Sequence, residues 1–63
     1  MKVFTGLQAK EMILKDQYPV GSIGVCNTKY GWAYWFWDGH IFDSGVGNSE
    51  KDALGKAKLN LNS

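Results

Sequence analysis

Hydrophobic and polar positions are patterned most clearly from Tyr30 to Ser49, where two runs rich in aromatic and β-branched residues flank Asp38-Gly39. That dipeptide readily takes the positive φ values of a type I′ turn, so the pattern predicts a tight hairpin. With a two-residue loop, Trp37 lies opposite His40, Phe36 opposite Ile41, Trp35 opposite Phe42, Tyr34 opposite Asp43 and Ala33 opposite Ser44. Period-two alternation then puts Ala33, Trp35, Trp37, His40 and Phe42 on one face and Trp32, Tyr34, Phe36, Ile41 and Asp43 on the other. Both faces are aromatic. A sheet packed by a helix on one side only should show a polar second face, so something else is expected to cover the excess.

Around the hairpin the remaining elements follow from caps and periodicity. Met1 to Phe4 reads as a short extended lead. Thr5-Gly6-Leu7-Gln8 has capping-box spacing and opens a helix expected to run to about Gln17, with Pro19 as the stop. Its wheel carries two stripes, Leu7/Leu14/Tyr18 and Ala9/Met12/Ile13, where a helix touching only the sheet needs one. Val20 to Asn27 reads as a strand, with Gly21 and Gly24 marking a bulge or a close approach of another backbone. Asn27 to Gly31 is the turn into the tryptophan strand. Gly45-Val46-Gly47 is expected to end the hairpin, and Ser49 with Asp52 caps a second helix whose core stripe is Ala53, Leu54, Ala57 and Leu61. That helix is expected to cover the face carrying Trp35 and Phe42, and the tail from Leu59 to Ser63 to fray. The fold class is α+β: a single small domain, residues 1–63, with a three-stranded antiparallel sheet flanked by two helices.

Composition narrows the function classes. A 63-residue chain that is 44% hydrophobic and 14% aromatic has the makings of a dense core rather than a disordered segment. The net charge is +1 and every cation is lysine, which gives no global pull toward nucleic acid and lacks the bidentate fork used to read guanine. The single cysteine, Cys26, excludes an internal disulfide and reads as a buried core residue, as suits a reducing, cytoplasmic protein. No signal peptide, membrane span or lipidation motif is evident. His40 near Asp38 and Asp43 is the one hint of acid–base chemistry, but residues beside a hairpin turn are ordinarily solvated and no nucleophile accompanies them. No metal-ligand cluster and no cofactor motif stand out, so a non-enzymatic protein is expected.

The order helix, strand, strand, strand, helix resembles the double-stranded RNA-binding domain, most sharply and without gaps from Asp38 to Ala57. Asp38-Gly39, Phe42, Gly45, Gly47, Ser49, Lys51 and Ala53 fall where that family has its strand turn, core aromatic, glycine pair and helix-opening residues. The resemblance implies the same fold and a phosphate-gripping lysine cluster at the start of the last helix. The matching positions here are Glu50, Lys51 and Leu54, and the loop between the first two strands carries only Lys29 as a cation.

Two functions therefore compete. In the first, the chain is a small protein-binding module, an inhibitor of phage or mobile-element origin that occludes a larger host protein through Trp32, Tyr34, Phe36, Ile41 and Asp43, with Trp32 as the anchor. In the second, it is a duplex RNA-binding module using Lys29, Lys51, Lys56 and Lys58. A homodimer face is a third use of an exposed aromatic surface.

Overall fold

A computed structural model describes residues 1–62. The chain folds as a small α+β domain in the order β1 (Lys2–Phe4), α1 (Gly6–Lys15), β2 (Ser22–Thr28), β3 (Gly31–Trp37), β4 (Phe42–Gly47), α2 (Glu50–Lys58) and a 3₁₀ helix (Leu59–Asn62). The sheet has four strands in the order β1-β2-β3-β4, not three. The N-terminal lead supplies the extra strand: Lys2, Val3 and Phe4 pair in parallel with Ser22, Ile23 and Gly24, and α1 makes the crossover that parallel neighbours require. β2, β3 and β4 are antiparallel.

The hairpin forms in a different register from the one expected. Trp37 pairs with Phe42, Phe36 with Asp43, Trp35 with Ser44 and Tyr34 with Gly45, so the loop holds four residues, Asp38 to Ile41. The Asp38 side chain closes it, its Oδ1 accepting from the backbone N–H groups of His40 (2.8 Å) and Ile41 (2.7 Å). An Asp that bonds the chain two and three residues on favours this wider turn over the two-residue one. The slip is two residues, so the residues that remain in the strands keep their faces, while His40 and Ile41 pass into the loop. β4 also continues to Gly47, through the glycines expected to break it.

The two helices lie on opposite faces of the sheet. Ala9, Met12 and Ile13 of α1 pack with Phe4, Cys26 and Trp35. Ala57 and Leu54 of α2 pack with Ile23, Phe36 and Tyr34. The expectation that α2 covers Trp35 and Phe42 is thus reversed, and Gly47 supplies the reason. A Cβ there would stand 2.7 Å from the Ala53 nitrogen, so the missing side chain lets α2 settle on the face that Gly47 shares with its pairing partner Trp32.

Other local expectations divide. Ser49 accepts from the Asp52 N–H at 3.0 Å and Asp52 Oδ2 accepts from the Asn48 N–H at 2.9 Å, a reciprocal cap of the kind the spacing predicts. Thr5 takes the extended N-cap conformation but makes no side-chain cap bond. α1 stops at Lys15 through left-handed Asp16 (φ 53°), a little earlier than Gln17. Of its two stripes only Ala9/Met12/Ile13 faces the core, and Leu7 and Leu14 are solvent-exposed. Leu61 also points to solvent, because the backbone tightens to 3₁₀ after Lys58 and the 3.6-residue stripe no longer applies. The tail expected to fray is helical over Leu59–Asn62, and Ser63 lies outside the described residues.

Candidate functional site

The residues first grouped as a partner surface do not share a free surface. Trp32, Tyr34, Phe36 and Asp43 occupy the face beneath α2. Phe36 is 1% exposed and forms core with Ile23 and Ala57. Tyr34 is half-buried with its ring over Gly45, where a Cβ would stand 2.9 Å from its hydroxyl oxygen. Burial and then the neighbouring Asp43 carboxylate push the Tyr34 pKa up. Asp43 is held in turn by Asn60, whose Nδ2 donates to Oδ2 at 2.9 Å. Trp32 is half-buried beside Leu7 and Glu50, at the end of the sheet where both helices begin. Ile41 is exposed, but it belongs to the loop rather than to a strand face.

The lysines of the RNA reading are likewise dispersed. Lys56 is engaged within the fold: its Nζ lies 3.4 Å from Asp52 Oδ2 and donates to the Val46 carbonyl at 3.3 Å. Lys29 lies over the Tyr30 ring, 5.1 Å from its centroid, in the turn between β2 and β3. Lys51 and Lys58 are exposed, one in the first turn of α2 and the other in the last. His40 is exposed, and Asp38 is committed to the loop amides, which hold its carboxyl below the usual range. No group of three or more His, Cys, Asp or Glu that could hold a metal ion occurs among the described residues, and none of their helices is long and apolar enough to cross a membrane.

The open apolar surface lies on the other face. α1 is ten residues long, about 15 Å at the usual rise, and packs over β2 and Trp35 of β3, which leaves the β4 side of its sheet face open. Trp37 and Phe42 sit there in an edge-on pair with centroids 6.1 Å apart. Tyr18, in the segment after α1, bridges this pair to the core, 5.2 Å from Phe42 and 5.0 Å from Trp35. Burial first, and then Asp16, raise the Tyr18 pKa. Phe42 and Val46 are each 48% exposed on that face. Beside them runs a groove of about 700 Å³ between α1 and the sheet, lined by Ile13, Leu14, Tyr30, Ala33 and Val46 and flanked by Lys10 and Lys29.

The alternation in the sequence already places Trp37 and Phe42 on one face. The signal that could have exposed them is length, since one ten-residue helix cannot roof four strands spaced about 4.8 Å apart. Comparison with known protein families, curated proteins and solved structures finds no match for this chain.

Proposed function

We propose that this chain is a non-enzymatic protein-binding module that engages its target through the uncovered half-face of the sheet, acting by occlusion as a small inhibitor does. The observation that carries this reading is half-exposed Phe42 set against Trp37 and Tyr18, next to an apolar groove lined by half-exposed Val46. Aromatic anchors set in an apolar patch with a polar margin are the usual composition of an interface centre. Lys10 and Lys29 supply that margin and favour an acidic partner surface. The duplex RNA reading draws less support, because Lys56 is held by Asp52 and Val46 and the other lysines are spread between a turn and the two ends of α2.

The test is capture of a protein from host lysate with and without nuclease, followed by affinity measurement on variants. Phe42→Ala should leave the fold intact, with a melting temperature lowered by the lost Tyr18 and Trp37 contacts, and cost at least about 2 kcal/mol in binding, roughly thirtyfold. A folded Phe42→Ala variant that binds as tightly as the parent removes this face from the interface. Loss of all captured material on nuclease treatment promotes the RNA reading instead.

A further inference from the structure

β4 is an edge strand, and the direction of its free backbone groups follows from two hydrogen bonds. The Asp38 N–H donates to the Ile41 carbonyl on the β4 side, and the Trp37 carbonyl accepts from the Gly21 N–H on the β2 side, so even positions of β3 bond toward β4. Antiparallel ladders alternate, so Asp43, Gly45 and Gly47 bond to β3 while Phe42, Ser44 and Val46 turn their N–H and C=O groups outward. The Lys56 ammonium on the Val46 carbonyl is an independent sign of the same parity. The three outward residues are evenly spaced about Ser44. Their side chains also lie on the uncovered face, so one strand presents an unpaired backbone edge and a half-exposed apolar row together.

From this arrangement we infer that β4 pairs antiparallel with β4 of a second copy of this chain, about a two-fold axis at Ser44. The register sets Ser44 opposite Ser44 of the partner subunit and Phe42 opposite Val46 of the partner subunit, and the same pair recurs across the axis. Each half-exposed ring then meets a half-exposed valine, with the two serines facing each other at the axis. The Phe42 N–H of one copy takes over the Val46 carbonyl of the other. The displaced Lys56 ammonium then lies one residue from the incoming Asp43, so the charges at the seam are complementary. These matches depend on the spacing of β4 against itself, which singles out a second copy over an unrelated strand. The opposite edge, β1, has only three residues and no such symmetry. The two sheets merge into one, and the target-binding half-faces of the two copies become continuous.

Sedimentation of the full chain from micromolar to near-millimolar concentration should show the mass rising from 7.0 kDa to twice that value. Ser44→Pro removes an outward N–H without touching the β3 ladder, and should hold the mass at the monomer value with an unchanged circular dichroism spectrum. Directly opposed residues of a hydrogen-bonded pair have Cα atoms about 5.5 Å apart, within disulfide reach. Ser44→Cys should therefore cross-link to a covalent dimer under mild oxidation. Val46→Cys should not, because its counterpart in the second copy lies four residues along the strand. A mass fixed at 7.0 kDa throughout, dimers that survive Ser44→Pro, or cross-linking through Val46→Cys in preference to Ser44→Cys would overturn the inference. A monomer that still binds its target through Phe42 would leave the proposed function standing.

Discussion

The indole of Trp35 lies against its cross-strand partner Gly24, so closely that a Cβ at Gly24 would stand 2.2 Å from the ring. The glycine is the space the tryptophan occupies. Gly24→Ala should therefore displace the ring and cost at least about 2 kcal/mol, and Trp35→Ala, which empties the same site, about 3–5 kcal/mol. Denaturant midpoints with near-ultraviolet dichroism check both. An alanine at 24 that leaves midpoint and spectrum unchanged would show that the ring can move aside at little cost.

Ser22 is the polar member of this core, 1% exposed. Its hydroxyl accepts from Trp35 Nε1 at 2.9 Å and donates to the Pro19 carbonyl. Ser22→Ala strands a buried indole N–H and should cost about 1–3 kcal/mol. Equilibrium unfolding measures the loss, and a neutral result would mean that the indole N–H finds another acceptor.

Asp38 and Asp52 both have their carboxyl pKa lowered from 3.8, Asp38 by the Ile41 and His40 amides and Asp52 by the Asn48 amide and then Lys56. A depressed acid stabilises the fold above its unfolded pKa, and that contribution disappears as pH falls through the lower folded value. Below about pH 3.8 the hairpin loop and the start of α2 should loosen together. Amide exchange at His40, Ile41 and Asn48 should accelerate there in the parent, and Asp52→Asn should abolish the pH dependence at Asn48.

The tyrosines act at the other end of the scale. Tyr18 and Tyr34 have pKa values raised above 10.0, in each case by burial first and then by a neighbouring aspartate. A raised pKa means that the neutral phenol is the form the fold favours, with its contribution complete below pH 10.0 and lost as pH climbs through the folded value. Absorbance titration should show two late-ionising tyrosines whose ionisation accompanies unfolding. Asp43→Asn should move the Tyr34 step downward.

Duplex RNA should bind weakly near physiological salt, because each absent phosphate contact removes counterion release and Lys56 is already engaged. Gel shifts across a salt series decide this. A submicromolar, steeply salt-dependent complex that weakens on Lys51→Glu would reverse the order of the two functional readings.

Alternation along the chain was enough to assign Trp32 to Trp37, Phe42 and Asp43 to their faces, because side-chain parity depends only on position and a slip of two leaves it intact. The serine cap of α2 and its Ala53/Ala57 stripe were equally legible, since a cap and a helical period are local. β1 was not: three residues are too few for a period, and only the parallel partner offered by β2 makes them a strand. The register of the hairpin depended on the Asp38 carboxylate, whose choice of amides is settled by the closed loop. Above all, parity says which residues share a face and nothing about which helix will cover it. That was decided by close approach in three dimensions. Gly47 admits Ala53 on the Phe36 side and Gly24 makes room for Trp35 beneath α1, so Phe36 became core and Phe42, on the half that short α1 cannot reach, was left open.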